Sequence, residues 1–311
     1  MRALQNINHK LSLIRGAPEP VRQEGEVKVQ IHYASLNPTD ADIARGDLDL
    51  FIKLARARSS VRTGLEFSGT VAEGSAKFPT GTKVFGYTHL MKGPKTHQDV
   101  VSIPESFIAK MPKNLSFSQA AAFPLGAQTS LVALRDIAQL KRGQSVLILG
   151  ASGGLGVYAT QLARHMQLAI TGVSGPDGLN LMKELGADEV VNYRKTSIDQ
   201  MINQFDVVLE LSNQYMFRDV RHLLKPHGTF VPTNPQKNLL AIAGNKFRRQ
   251  KVGYLFVDRG DSTLLTELAG QIAQGVLSVG PVREFDFEDF EQAFASLQQP
   301  GQLGRTVMRL R

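Results

Sequence analysis

The sequence predicts an α/β protein in which a doubly wound parallel sheet is inserted into a β-rich domain. The first third of the chain has short alternating segments punctuated by glycine and proline, which is typical of a small barrel or sandwich. Residues 145–231 instead alternate apolar strands with helical segments, which is typical of a parallel sheet covered by helices. Beyond residue 246 the pattern is mixed again, so we expect the C-terminal segment to complete the first domain.

The composition agrees with two globular domains and excludes several classes of protein. The 311 residues are 42% hydrophobic and 21% charged, and no apolar run approaches the roughly 18 to 20 residues of a membrane-spanning helix. The N-terminal residues run directly into strand-like sequence, so we expect no targeting segment and a cytoplasmic location. The chain has no cysteine and its histidines show no helical pair spacing, so no metal site is predicted.

The net charge of +8 has two interpretations. The densest basic cluster, residues 246–251, could bind nucleic acid. It could equally be a solvated basic segment, or part of a field that attracts an anionic cofactor or substrate. We favour the second interpretation because no nucleic-acid-binding module is recognisable, and we expect neither nucleic acid nor membrane as a partner.

A glycine-rich loop at residues 150–156, with the sequence GASGGLG, joins an apolar strand to a helical segment. A tight turn and a closely approaching pyrophosphate both need residues without a Cβ, and the helix amino terminus supplies free N–H groups. Gly156 would let the helix pack closely against the sheet. The doubled glycine departs from the common G-x-G-x-x-G spacing, and a turn that binds nothing remains an alternative. The strand–loop–helix context favours dinucleotide binding.

The end of the next strand bears on the choice between NADP and NAD. NAD enzymes usually carry an acid there for the ribose 2′-hydroxyl, but this strand ends at Ser174 and Gly175. A serine and exposed backbone can instead receive a 2′-phosphate, which Tyr193 and the two basic residues after it could also reach. Asp177 would repel that phosphate if it pointed there, although the favoured interpretation is that it caps the following helix. NADPH is therefore predicted over NADH.

Several segments in order resemble the medium-chain dehydrogenase/reductase superfamily, and within it the zinc-independent quinone oxidoreductases similar to zeta-crystallin. They are ASLNPTD at 34–40 followed by Arg45 and Gly46, GLEFSGTV at 64–71, GTKVFG at 81–86, the doubled-glycine loop with QLA at 161–163, LGAD at 185–188 and GRTV at 304–307. The resemblance covers essentially the whole chain. It implies a Rossmann domain, residues 121–245, inserted into a GroES-like catalytic domain formed by residues 1–120 and 246–311, with the active site in the cleft.

The same resemblance implies that no zinc is bound. Zinc-dependent relatives carry a cysteine near the position of Asn37 and a Gly-His-Glu triplet where this chain has Leu65 in the middle. Zinc-assisted alcohol dehydrogenation is therefore not expected. The chain also departs from the family at Lys83, which replaces a usual aspartate. Residues 47–62, rich in arginine and lysine, are predicted to shape the mouth of the cleft.

Without a metal, the resemblance implies hydride transfer from NADPH to a quinone, an electrophile activated by conjugation. An enone or alkenal reductase of the same family remains an alternative, as does a catalytically weak NADPH-binding protein with a structural or sensing role. A homodimer is also implied. The implied catalytic residues at the nicotinamide end are Asn37 and Thr129. The implied cofactor contacts are Ser152, Gly153, Gly154 and Leu155 at the pyrophosphate, Ser174 and Tyr193 at the adenosine ribose phosphate, and Phe256 and Val257 over the nicotinamide.

The proton donor remains open among Tyr33, Asp40, Tyr87 and solvent. Tyr33 lies on the apolar face of its predicted strand, so core packing explains it as well. Asp40 could instead cap the helix that follows the Asn-Pro turn.

Overall fold

The computed structural model describes residues 1–7, 9–47, 63–299 and 301–311. Most of the segment predicted to shape the mouth of the cleft, residues 48–62, lies outside the described residues. The described strands form a seven-stranded mixed sheet, a six-stranded parallel sheet and a hairpin. In the described part of the chain, no helix is long and apolar enough to cross a membrane.

The strands are β1 (Ala3–Ile7), β2 (Lys10–Ile14), β3 (Glu26–Leu36), β4 (Glu66–Glu73), β5 (Lys83–Tyr87), β6 (Val100–Pro104), β7 (Ile108–Lys110), β8 (Ser145–Leu149), β9 (Ala169–Ser174), β10 (Glu189–Asn192), β11 (Phe205–Glu210), β12 (Leu224–Pro232), β13 (Lys251–Val252), β14 (Val282–Asp286) and β15 (Arg305–Arg309). The α-helices are α1 (Pro38–Arg45), α2 (Phe117–Ala121), α3 (Pro124–Leu131), α4 (Gly156–His165), α5 (Leu179–Leu185), α6 (Phe217–Val220), α7 (Leu239–Ala243), α8 (Ser262–Ala273) and α9 (Phe290–Ser296). A π-helical segment, Val132–Ile137, continues α3.

The seven-stranded sheet has the order β14-β15-β3-β4-β5-β7, and β6 also pairs with β3. Alternate side chains of β3, among them Val29 and Ile31, are buried and pack with Phe67 and Met308 in one core. β15 runs antiparallel to β3, with Thr306 opposite Leu36. A strand of the C-terminal segment therefore lies in the same sheet as the N-terminal strands.

The six-stranded sheet has the order β10-β9-β8-β11-β12-β13, and every pair of neighbouring strands is parallel. This arrangement confirms the predicted doubly wound α/β fold. The chain moves outward from β8 through β9 to β10 and then returns to the other side of β8 with β11. In such a sheet, a crevice forms where the order reverses, at the carboxyl ends of β8 and β11.

The short edge strand β13 lies in the parallel sheet, with Val252 paired to Phe230. The sequence analysis placed residues 246–311 with the catalytic domain, so this strand departs from that division. Val252 packs with Phe230 and Phe217 in the core of the parallel sheet, whereas the preceding basic residues conceal the strand pattern. The domain boundaries at residues 120 and 245 otherwise stay predictions.

Candidate cofactor-binding and active site

The glycine-rich loop lies at the carboxyl end of β8. Gly150 has φ +81°, a left-handed conformation that strains residues with a Cβ. Its carbonyl accepts a hydrogen bond from the Gly153 N–H at 3.1 Å, which closes the turn before α4 begins at Gly156. The Leu155 N–H donates to no residue that the structure describes, whereas the Gly154 N–H is engaged by the parallel bridge between Gly153 and Gly304. Free N–H groups at the start of a helix can bind an anion.

The space around the loop tests whether a pyrophosphate fits. A Cβ built on Gly156 would lie 2.2 Å from the Ala151 carbonyl oxygen, so this glycine is needed for the turn itself. A Cβ on Gly153 would approach only the Gly150 carbonyl oxygen, at 3.4 Å. The loop therefore offers open space above Gly153 beside the free Leu155 N–H, and its residues fit the diphosphate of a dinucleotide.

Three residues predicted to bind cofactor meet at the ends of β9 and β10. The Tyr193 N–H donates to the Ser174 carbonyl at 3.1 Å, and the Ser174 hydroxyl donates to the Ser152 hydroxyl at 2.8 Å. The Tyr193 hydroxyl lies 3.2 Å from the position that a Cβ would take on Gly175. Ser152, Ser174 and Tyr193 thus lie together beside the glycine-rich loop, called the phosphate loop below, and their contact with a cofactor stays a prediction.

The prediction that Asp177 caps the helix after β9 is wrong. α5 begins after Gly178, which supplies no side-chain cap, and Asp177 lies in the preceding 3-10 turn, Pro176–Gly178. The proline fixes the entry into the helix, so no side-chain cap is required there. The Asp177 side chain is exposed and makes no hydrogen bond to any described residue. Its side chain therefore remains available near Ser174 and would oppose a 2′-phosphate bound there.

A buried polar network occupies the other end of the cleft. Arg305 of β15 forms an ion pair with Glu66 of β4, and its Nη2 donates to the Asn37 Oδ1 at 2.8 Å and to the Ser35 Oγ at 2.9 Å. The Asn37 Nδ2 donates to the Glu66 Oε2 at 3.0 Å, and the Leu125 N–H donates to the Glu66 Oε1 at 2.7 Å. Burial lowers the pKa of Arg305 to about 10. The network fixes the orientation of the predicted catalytic Asn37.

Arg305 also connects this network with the phosphate loop. Its Cδ lies 2.4 Å from the position that a Cβ would take on Gly154, and the neighbouring Gly304 N–H donates to the Ser152 carbonyl at 3.0 Å. The sequence analysis assigned no role to Arg305 or Glu66, although both stand in segments quoted for the resemblance. No local signal distinguished them, because β4 also ends in Glu73 and β15 also ends in Arg309.

Thr129 lies on α3 between the phosphate loop and the segment after Val257. The preceding Gln128 donates to the Arg259 carbonyl at 2.9 Å, and the following Ser130 donates to the Leu155 carbonyl at 2.9 Å. Thr129 is 8% exposed, and its hydroxyl has no hydrogen-bond partner in the part of the chain that the structure describes. The hydroxyl is therefore available to a bound ligand.

Phe256 and Val257 lie on a segment attached to the seven-stranded sheet. The Tyr87 hydroxyl donates to the Val257 carbonyl at 2.9 Å, and the Leu90 N–H donates to the Asp258 carbonyl at 2.6 Å. The Phe256 side chain is 48% exposed, and its ring centroid lies 6.4 Å from that of Tyr254. An exposed aromatic ring on an anchored segment is suited to stacking against a planar ligand.

All three side chains considered as proton donors are engaged in structural hydrogen bonds. The Tyr33 hydroxyl donates to Glu284 at 3.0 Å. Asp40 accepts from the Asn37 N–H at 2.9 Å and the Gly64 N–H at 2.6 Å, which confirms the capping interpretation. Burial raises the pKa of Tyr87, whose hydroxyl already donates a hydrogen bond to the Val257 carbonyl.

Comparison with known proteins identifies the family. Residues 23–113 match the model of the alcohol dehydrogenase GroES-like domain, and residues 185–308 match a model described as zinc-binding dehydrogenase. The quinone oxidoreductase from Coxiella burnetii superposes with a TM-score of 0.86 at 26% identity, over 100% of this chain and 99% of that chain. The Pseudomonas syringae pv. Tomato DC3000 quinone oxidoreductase has the same fold, with a TM-score of 0.84 at 23% identity over 99% of both chains.

Curated relatives agree with this result. The 2-methylene-furan-3-one reductase of Solanum lycopersicum is 28% identical over 96% of this chain and 75% of that protein. The quinone oxidoreductase of Sus scrofa is 30% identical over 67% of this chain and 64% of that protein. The chain is 31% identical to a polyketide synthase system protein of Streptomyces orinoci, but spans 13% of its length. The chain therefore belongs to the medium-chain dehydrogenase/reductase superfamily of oxidoreductases, and within it to the quinone oxidoreductase-like family.

Proposed function

We propose that the chain is a zinc-free reductase that uses NADPH to reduce quinones. The observation that carries the proposal is the contact of Arg305 with both ends of one cleft, the phosphate loop at Gly154 and the catalytic candidate Asn37. When bound, a nicotinamide dinucleotide supplies a hydride to a conjugated carbonyl compound. The glycine-rich loop would hold its diphosphate. Ser174 and Tyr193 would hold its adenosine ribose, and the exposed Phe256 would cover its nicotinamide.

The chemistry of the residues supports a site without zinc. Catalytic zinc is bound by Cys, His or carboxylate ligands, but Asn37 and the buried Leu65 occupy positions that metal ligands take in the relatives. Both oxygens of the nearby Glu66 carboxylate accept hydrogen bonds, one from Leu125 and the other from Asn37 and Arg305. Both carboxylate oxygens of Glu66 are thus used as hydrogen-bond acceptors within the buried network.

NADPH is proposed over NADH on the residues around Ser174. No carboxylate stands at the tip of β9, and Tyr193 is followed by the exposed Arg194 and Lys195. Asp177 opposes this preference by its charge. A relative from Arabidopsis thaliana, 27% identical over 93% of this chain, is named an NADPH-dependent alkenal/one oxidoreductase.

The protein's own residues would orient the substrate and stabilise the charge that develops on its oxygen. Asn37 has a second Nδ2–H that makes no hydrogen bond to a described residue, and the Thr129 hydroxyl is free as well. A hydrogen bond to a developing oxyanion lowers the barrier most when the donor is already oriented. Arg305 and Glu66 orient Asn37, while Ser130 and Gln128 hold the helix that carries Thr129. Positioning of the reactants would supply much of the remaining acceleration.

A second candidate activity is the reduction of an enone or alkenal double bond. The named activities of the tomato and Arabidopsis relatives favour it. It needs the same residues, since hydride addition to an enone also places negative charge on a carbonyl oxygen. The two activities differ in the acceptor that the cleft admits.

We also propose a homodimer in the cytoplasm, as the family resemblance implies. The outer edge of β13 pairs with no described strand, and Leu240 and Phe247 close to it are 92% and 86% exposed. An open edge beside exposed apolar side chains is suited to contact with a second copy. In the basic cluster, Lys251 donates to the carbonyls of Asn245 and Arg248 at 2.6 Å, which supports a structural role there over nucleic-acid binding. Light scattering tests the dimer.

The proposed function is tested by following NADPH and NADH oxidation with a panel of quinones, enones and alkenals. Gly153→Asp places a carboxylate in open space above the loop, so we expect the apoprotein to fold and the NADPH Kd to rise about 100-fold. Gly270→Asp is the matched control, because a Cβ on Gly270 of α8 meets nothing within 4 Å and the position is likewise open.

The results of this assay distinguish the proposed functions. Turnover by the wild type and the control, but not by Gly153→Asp, supports the enzyme, and the best acceptor separates the two activities. No turnover above the Gly153→Asp level with any acceptor contradicts the enzyme and favours a binding protein. Faster oxidation of NADH than of NADPH contradicts the cofactor preference.

A further inference from the structure

Lys95 is a partly buried lysine whose ammonium group has no carboxylate partner. Its Nζ donates to the backbone carbonyl of Leu90 and more weakly to that of His89, at 3.5 Å. No ion pair joins it to any acid in the described ranges. Two of its three N–H bonds are thus directed at carbonyl oxygens, and the third is available to another acceptor.

The segment that carries Lys95, residues 89–95, is attached to both sides of the nicotinamide end of the cleft. At one end the Leu90 N–H donates to the Asp258 carbonyl, next to Val257, at 2.6 Å. At the other end the Thr96 N–H donates to the Gly64 carbonyl at 3.1 Å. Gly64 in turn donates to Asp40, which also accepts from the Asn37 N–H. The segment therefore lies between the residues proposed to cover the nicotinamide and those around Asn37.

The charges around Lys95 leave its ammonium weakly stabilised. Burial lowers the pKa of Lys95 to about 8, and Asp40 of α1 acts in the opposite direction. The other titratable groups close enough to interact with its charge are His89 of its own segment and His97, which follows it in the chain. Lys92, Asp258 and Arg259 act on His89. Asp258 lies 3.5 Å from the His89 ring, so its carboxylate faces that histidine.

We infer that Lys95 delivers the proton to the substrate oxygen during reduction, an inference that rests on the proposed function. A hydride with its two electrons adds to the conjugated system, a π pair moves onto the carbonyl oxygen, and the oxygen becomes anionic. The O–H bond then forms as the Nζ–H bond of Lys95 breaks, which leaves a neutral amine. Water returns a proton to the amine. One hydride and one proton together convert a quinone to its hydroquinone.

Lys95 suits this role better than the three side chains considered from the sequence. Tyr33, Asp40 and Tyr87 each use their polar atoms in a structural hydrogen bond. A proton donor acts best when its pKa lies near the working pH, and an unperturbed lysine would be too weak an acid. Burial beside backbone carbonyls lowers the pKa of Lys95 without a carboxylic acid at the site.

The test compares Lys95→Met with Lys92→Met, an exposed lysine of the same segment. In wild type and Lys92→Met, we expect the rate of quinone reduction to fall tenfold per pH unit above pH 8, as the donor loses its proton. Lys95→Met is expected to lose at least tenfold at pH 7 and to lack that fall, with the NADPH Kd unchanged. Lys95→Arg is expected to be equally slow, because a guanidinium does not release its proton.

A second measurement is independent of turnover. NMR titration of the ¹³C-methylated lysines in the free protein should show one resonance, absent from Lys95→Met, that titrates near pH 8. No such resonance between pH 7 and 9, an unchanged pH profile in Lys95→Met, or full activity in Lys95→Arg would overturn the inference. Absence of turnover in the wild type overturns the proposed function and this inference together, whereas turnover with an unchanged Lys95→Met profile overturns the inference alone.

Discussion

The two ends of the cleft are built in different ways. The proposed phosphate end consists of consecutive residues, from Gly150 to Gly156, whose backbone groups and small side chains would bind the diphosphate. The proposed nicotinamide end consists of side chains distant in sequence, with Asn37 after β3, Glu66 on β4 and Arg305 on β15. The first depends on local conformation and the second on a buried charge network, so substitutions at the two ends should fail in different ways.

The largest expected effect is on the charge network. Arg305→Met leaves Glu66 buried without its cation, which should lower the free energy of unfolding by about 3 to 5 kcal/mol. Arg309→Met, on the same strand, breaks an exposed pair with Asp286 and should leave the unfolding midpoint nearly unchanged. Urea unfolding measures both. Equal midpoints for the two variants would show that the network does not stabilise this end of the cleft.

Substitution of two buried tyrosines, one near each end of the cleft, should have an intermediate effect on stability. Tyr87 donates to the Val257 carbonyl at 2.9 Å and Tyr158 to the Ala122 carbonyl at 3.0 Å, so phenylalanine at either position leaves a carbonyl unpaired. Each variant should lose about 1 to 3 kcal/mol of unfolding free energy. Tyr87→Phe alone should also weaken NADPH binding, about three- to tenfold, because the segment carrying Phe256 loses an anchor. Fluorescence titration measures the Kd, and equal losses of affinity would contradict the assignment of that segment.

The smallest expected effect concerns the adenosine ribose. Arg194→Gln removes an exposed charge beside Tyr193 and should raise the NADPH Kd about threefold while leaving the NADH Kd unchanged. The difference should shrink as the salt concentration rises. Lys183→Gln, an exposed charge on α5, is the control. A parallel change for both cofactors would place Arg194 away from the 2′-phosphate.

Sequence reasoning succeeded where the determining interactions are local or periodic. The strand and helix alternation predicted the doubly wound sheet, and β15 lies in the same sheet as the N-terminal strands. It failed where an adjacent residue replaces the expected interaction or where an element is too short to show a pattern. The Asp177 cap is wrong because Pro176 already fixes the helix entry, and the two-residue β13 is too short for a periodic signal. The roles proposed for Asn37, Thr129 and the cofactor contacts stay predictions.

Lys95 and the Arg305–Glu66 pair could not be predicted for a related reason. Each is a charged residue whose importance comes from burial, and burial depends on the whole tertiary structure. Glu66 and Arg305 are separated by 239 residues, so no window of sequence contains both.

That separation also has a consequence for biosynthesis. At about 5 to 20 residues per second, a ribosome makes Arg305 roughly 10 to 50 seconds after Glu66. During this interval β3 can pair with β4 and β6, but the edge of residues 33–36 waits for β15 and the Glu66 carboxylate lacks its cation. The parallel sheet, whose strands all precede β15, can assemble first. The nascent first domain is therefore exposed to strand pairing with other chains until the last strand arrives.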